Sequence, residues 1–151
     1  MKKRLCAILL AAAAALLTSC SSGASSAPLD LTGHWSQQSS NDWYHIATIT
    51  EDKIKIWWYL PAEDKTNLYW SGSFTPPTDG RDTYTWQSEN DYTAEHLDLL
   101  FKYRRTSREP VKEFVYKNGQ IQYKVTSGHL VMAFALERSD DSSFPVTEDE
   151  P

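Results

Sequence analysis

Four histidines, the acid pairs Glu51-Asp52 and Glu63-Asp64, and two cysteines are where this 151-residue chain could do chemistry. His34, His45, His96 and His129 are far apart in sequence. A zinc centre takes three or four ligands and a supporting outer shell. Only His34 and His129 are expected to approach each other, and two ligands are too few, so no metal is expected. The acid pairs sit at turns, where carboxylates stay solvated and bond locally, and no apolar pocket surrounds them to raise a pKa. Gly-x-Ser-x-Gly, His-Glu-x-x-His and a phosphate-cradling glycine loop are all missing, and the chain has six glycines in total. These residues therefore predict no catalytic group, no cofactor and no enzyme.

The cysteines are different. Cys6 lies inside an apolar run, Leu5–Leu17, that follows Lys2, Lys3 and Arg4. A bilayer-spanning helix needs roughly 20 apolar residues, and this run is shorter. A positive end, a short apolar stretch and small residues after it describe a cleaved secretory signal; an uncleaved anchor is the alternative. The run closes on Leu17-Thr18-Ser19-Cys20. This resembles the lipobox of bacterial lipoproteins, and the resemblance implies diacylglycerol on the Cys20 thiol and cleavage before it. Two or more acyl chains anchor a protein stably where one does not. The expected place is the bacterial cell envelope, facing outside the cytoplasm. That means the outer leaflet of the cell membrane, or the outer membrane in a Gram-negative cell.

The organisation that follows is a signal at 1–19, then Cys20 and a Ser-rich tether to 29. A domain spans 30–138 and an acidic tail, expected to be disordered, spans 139–151. Losing Lys2, Lys3 and Arg4 from 15 basic residues leaves 12 against 20 acids, a formal charge of −8. Such a domain is a poor match for nucleic acid or anionic headgroups, so the membrane contact should be the lipid itself. With Cys6 removed and Cys20 modified, no disulfide and no thiol chemistry remain. Stability must come from the core, and six Trp, eight Tyr and five Phe are available to build it.

Eight runs of strand-forming residues are separated by turn signals: 31–38, 43–50, 53–60, 67–75, 81–89, 111–117, 120–126 and 129–138. Asn118-Gly119 is the clearest two-residue hairpin. Alternation puts Ile54, Ile56, Trp58 and Leu60 on one face of the third run. Ile121, Tyr123 and Val125 share a face in the seventh, and Leu130, Met132, Phe134 and Leu136 share one in the eighth. The fold class is all-β, an antiparallel up-and-down barrel or a two-sheet sandwich, and closure would remove exposed edges. Gly33-His34-Trp35 in the first run resembles the Gly-x-Trp that opens many lipocalin-like barrels, which favours the barrel. One segment breaks the pattern. Ala94, Leu97, Leu100 and Phe101 have helical spacing, so a short helix or loop insertion is expected near 92–108.

The candidate binding residues come from two places. Trp57 and Tyr59 alternate with the inward residues of the third strand, and Tyr69 should extend them as an exposed aromatic patch. The competing possibilities are that the patch packs under the 92–108 segment or that the faces are reversed. Arg104, Arg105 and Arg108 form a basic stretch, either a solvated loop or a cap that meets an acidic partner. A non-catalytic module that contacts another envelope protein is one function, whether by inhibiting a wall-active enzyme or by excluding phage. The other is a carrier holding a small apolar or sugar ligand among Trp35, Trp58, Trp70 and Trp86.

Overall fold

The computed structural model describes residues 27–38, 42–92 and 106–141. It is all-β, with eight antiparallel strands in one curled sheet: β1 Gly33–Ser36, β2 Tyr44–Ile49, β3 Lys53–Leu60, β4 Lys65–Ser73, β5 Thr83–Glu89, β6 Val111–Lys117, β7 Gln120–Ser127 and β8 Leu130–Ser139. Across the sheet the order is β4-β3-β2-β1-β8-β7-β6-β5. This is the up-and-down order with its first and last strands paired, so the expected barrel topology holds. The short helix or loop insertion expected near 92–108 falls, over 93–105, outside the described residues.

The chain enters at the start of β1, at the end we call the floor. The β2–β3 turn, the β4–β5 loop, the β6–β7 turn and the end of β8 lie at the same end. The β3–β4 and β7–β8 turns, and the described residues 37–38, 42–43, 90–92 and 106–110, lie at the opposite end, the mouth. At the floor Asn118 and Gly119 both take positive φ, 53° and 79°, the backbone of a hairpin turn whose twist matches its strands. Gly33 also has positive φ, 120°, and a Cβ there would sit 3.1 Å from Arg138 Nη1. The Arg138 guanidinium lies 4.7 Å from the Trp35 ring. It donates to the carbonyls of Thr32 at 2.6 Å and Asp30 at 2.7 Å. The Gly-x-Trp triplet thus anchors the first strand to the last.

The curl leaves one seam, between β4 and β5, with a single bridge at Gly72 and Asn90. A Cβ on Gly72 would meet the Glu89 carbonyl oxygen at 2.4 Å, so only glycine permits that approach. Trp70 Nε1 donates to Ser88 Oγ across the seam at 3.0 Å. Asp91 N donates to the Ser71 carbonyl at 2.9 Å. Above it, Ser107 N donates to the Tyr69 carbonyl at 2.8 Å and Thr106 Oγ1 to that of Leu68 at 2.9 Å. The returning 106–109 segment therefore covers the upper β4 edge.

Inside, the lower and middle levels are filled with side chains. Leu31, Trp35, Ile54, Ile56, Phe74, Trp86, Phe114, Ile121 and Leu136 are all buried in one cluster. Trp86 stacks on Phe114 with ring centres 5.2 Å apart, and Trp70 meets Phe114 edge-on at 6.5 Å.

Candidate functional site at the barrel mouth

β3 and β4 do not stay in simple register. Ile56 pairs with Trp70, but Trp57 pairs with Leu68, leaving Tyr69 as an extra residue. Such a bulge turns two successive side chains toward one side, and both Tyr69 and Trp70 enter the core. Strict alternation had placed Tyr69 outside; the bulge corrects that.

The expected outer aromatic patch is corrected too. Ile46, Trp57 and Leu68 line up across the outer faces of β2, β3 and β4. They form their own buried cluster, with Tyr44, Tyr59 and Tyr92 packed against it. Trp57 is only 3% exposed, so it is not a free surface. Tyr59 is half-buried, and its hydroxyl donates to Asp64 at 3.2 Å. Of the basic stretch, Arg108 is exposed on the 106–110 segment, whereas Arg104 and Arg105 lie outside the described residues. His34 sits opposite Ser139 at the floor and His129 beside the β7–β8 turn at the mouth. The two do not approach, because His34 on β1 pairs at the Ser139 end of β8 and His129 precedes its Leu130 end. Among the described residues no three His, Cys, Asp or Glu side chains come together.

The structure assembles something else at the mouth. His45 faces inward from the start of β2, directly opposite Trp58 on β3. Its ring is fully buried. It lies between Tyr69, 5.0 Å away, and Phe134, 4.5 Å away, both nearly parallel. Trp58 meets it edge-on at 3.9 Å. His45 Nδ1 shares a short hydrogen bond with the Tyr123 hydroxyl. Burial, then the nearby positive charge of Lys112, push the imidazole pKa down to about 3, so the ring is neutral. Burial also raises the Tyr69 phenol, against a hydrogen bond from Ser107 that lowers it. Burial raises the Tyr123 phenol as well.

Lys112 closes this layer from β6. It is buried, with its ammonium bonded to Glu109 and donating to the Lys124 carbonyl at 3.1 Å. The ammonium lies 5.2 Å from the Tyr69 ring and 5.3 Å from that of Trp70. Burial lowers its pKa, while Glu109 opposes the shift. Two polar atoms of the layer, His45 Nε2 and Trp58 Nε1, have no hydrogen-bond partner. Buried polar groups are nearly always paired; the indole N–H groups of Trp57, on the outer face, and Trp86, in the main core, share this lack. No sequence signal marked His45, because its position in the alternation only says that it points inward.

The rim above the layer is apolar. Trp43 is 38% exposed, Val111 43%, Leu130 59% and Val131 57%. All four lie where strands begin at the mouth. Leu130, expected inside, is out because β1 pairs with β8 only along Glu137–Ser139. The β7–β8 hairpin tip thus stands above its neighbours. Trp43 touches Trp58 edge-on at 4.7 Å, joining rim to layer. A groove of about 490 Å³ crosses the sheet at this end, over Val111, Val115, Gln122, Lys124, Ala133 and Ala135.

Among the described residues the layer presents a neutral imidazole, two phenols and an ammonium paired with Glu109. The rings needed by a deep internal carrier site are packed: Trp35, Trp70 and Trp86 are all buried. No known protein family, curated protein or solved structure matches the chain.

Proposed function

We propose that this protein is a lipid-anchored envelope module that binds through its mouth and performs no catalysis. Cys20 carries the anchor and residues 21–29 act as the spacer. The observation behind this reading is the segregation of the two ends. Trp43, Val111, Leu130 and Val131, the large hydrophobic residues exposed among those described, all sit at the mouth. The chain arrives from its N-terminal side at the floor. A tether entering at the floor leaves the apolar rim facing away from the membrane, toward other envelope components. Concentrated exposed apolar surface marks interaction sites, and Trp and Arg at such sites supply much of the binding energy.

The test is to isolate the full-length protein gently from its own envelope and weigh it by native mass spectrometry. A bound component lost in Trp43→Ala/Leu130→Ser and kept in the floor variant Thr85→Lys is expected. A component kept by both variants would sink the mouth assignment. Cys20→Ala should move the protein from membrane to soluble fractions; unchanged fractionation after detergent-free washing would remove the lipid anchor from the account.

A further inference from the structure

β6 and β7 leave the Asn118-Gly119 hairpin as neighbours, and their pairing stops at Phe114 and Tyr123. Each strand continues toward the mouth with its other neighbour. Val111 pairs with Glu89 on β5, and Ser127 pairs with Leu130 on β8. In an antiparallel ladder, pairs that exchange hydrogen bonds alternate with pairs that do not. A two-residue hairpin closes on a bonded pair, here Lys117 with Gln120. Counting on by twos, the next bonded pairs are Val115 with Gln122 and then Glu113 with Lys124. The last pair is not made. The Lys124 carbonyl accepts from the Lys112 ammonium at 3.1 Å instead. Beyond it, the same alternation turns the backbone groups of Val111 and Thr126 into the gap, and no pair joins them. The groove of about 490 Å³ lies here, lined by Val111, Lys112 and Glu113 from β6 and by Tyr123 and Lys124 from β7.

Unpaired strand edges are templates for another strand, and extended peptides bind by adding to them. The two lips of the gap carry opposite charges, Glu113 on β6 and Lys124 on β7, both exposed. Neither side chain is in an ion pair among the described residues. A segment bearing one sign of charge is repelled by one lip; a neutral segment is repelled by neither. The rest of the groove includes Val111, Val115, Ala133 and Ala135, which suits small apolar and hydroxyl side chains. This chain has no strand to spare for the gap. All eight strands pair within the sheet, and the β4–β5 seam is bridged. The acidic tail, with Asp140, Asp141, Glu148, Asp149 and Glu150, starts at the floor. We propose that the gap between β6 and β7 takes an uncharged extended segment of a partner protein, hydrogen-bonded to the Glu113 and Thr126 backbones. This rests on the mouth being the binding end and names its mode of binding.

The isotopically labelled full-length protein is titrated with Ac-Thr-Val-Thr-Val-Thr-amide. Two counterparts serve as controls, one with Glu for every Thr and one N-methylated throughout, which has no backbone donors. Amide hydrogen exchange at Glu113 and Thr126 is read by NMR. With the neutral peptide at ten times its dissociation constant, exchange at both should slow by about tenfold. The N-methylated peptide should give no slowing, and the acidic one should bind roughly two- to fivefold more weakly. Thr126→Pro removes one donor from the gap, while Thr126 and Val131 exchange no bond with each other, so binding should weaken roughly three- to tenfold. Lys124→Glu puts acid on both lips and should turn the preference to a peptide with Lys for every Thr. Equal binding of the N-methylated peptide, an unchanged preference in Lys124→Glu, or no slowing with the neutral peptide at about 10 mM would overturn the added strand. Protection without peptide would overturn the partner: loss on dilution would name a second copy, and loss on removing 142–151 the chain's own tail. If the envelope-derived component were lost in Trp43→Ala/Leu130→Ser and kept in Lys124→Glu and Thr126→Pro, the mouth would stand as the binding end and the added strand would fall.

Discussion

The floor and the mouth of this barrel are built from the same strands by opposite rules. At the floor, aliphatic and aromatic side chains fill the interior, and apart from the indole N–H of Trp86 higher in that core few polar atoms enter it. Trp35 Nε1 donates to the Leu31 carbonyl at 3.0 Å, and Arg138 seals the end through two backbone carbonyls. At the mouth, a histidine, two tyrosines and a lysine replace aliphatics inside, two N–H groups go unmatched and the rim is greasy. A layer like that costs stability relative to a hydrocarbon one.

The largest effect that could break this contrast is a cavity below the mouth. Phe114 is buried among Trp70, Trp86 and Tyr123. Phe114→Ala should cost about 3–5 kcal/mol, read by urea denaturation. A loss under about 1 kcal/mol would mean that the lower core is not the stabilising half.

Acid should act on the mouth first, before it reaches the lowered carboxyls of Asp30 and Asp79 at the floor, which are held by Thr32 and Arg81. His45 is held neutral down to about pH 3 when folded, whereas an unfolded histidine protonates below about pH 6.5. The unfolded chain therefore takes up the proton first, and stability falls as pH drops from about 6.5 toward 3 and is flat above. Lys112 stays charged and Tyr69 and Tyr123 stay neutral through that window, so they add nothing to the slope. Between pH 6 and pH 4 the histidine should remove about 2–3 kcal/mol. His45→Phe should lose less by that amount over the same interval. Identical slopes in the two proteins would show that His45 titrates normally and is not sealed in the layer.

The seam lies between the two regimes. Gly72→Ala places a methyl on the Glu89 carbonyl, and the β4–β5 contact must open. The expected cost is about 1–3 kcal/mol. Hydrogen exchange should rise at Asn90 and Asp91 and remain slow in β7. Uniform acceleration would mean that the seam is not a local joint.

The same contrast explains how far the sequence could be read. Period-two alternation with turn residues at the breaks placed β3 and β6 at their observed ends and the other strands within a few residues. The Asn118-Gly119 hairpin needed two positive φ values, and its residue types announce them. What failed were side-chain directions governed by distant contacts. The bulge at Tyr69 moves one residue from outside to inside, and nothing local in Asn67-Leu68-Tyr69-Trp70 marks it. Trp57 is buried on an outer face because Ile46, Leu68 and Tyr92 meet it there, a fact of pairing and return path. His45 follows the alternation perfectly, yet its meaning depends on Tyr123, seventy-eight residues away. Patterns of period two report the sheet; the site is a property of which strands meet.

The smallest expected effect is the sharpest test of the rim. Leu130 and Val131 stand on the β8 edge above the reach of β1, paired to β7 through Ser127 and Thr126. They lose little on unfolding because they are already in water. Leu130→Ser should therefore change stability by less than about 0.5 kcal/mol, even though the residue continues the stripe of Met132, Phe134 and Leu136. Leu136→Ser, three pleat repeats below and fully buried, should cost several-fold more. If Leu130→Ser were as costly as Leu136→Ser, the stripe would be core along its whole length. The rim would then be an inner surface, and the two ends would no longer differ in kind. If Leu130→Ser leaves stability alone and still strips the bound envelope component, stability and binding are housed at opposite ends of one sheet.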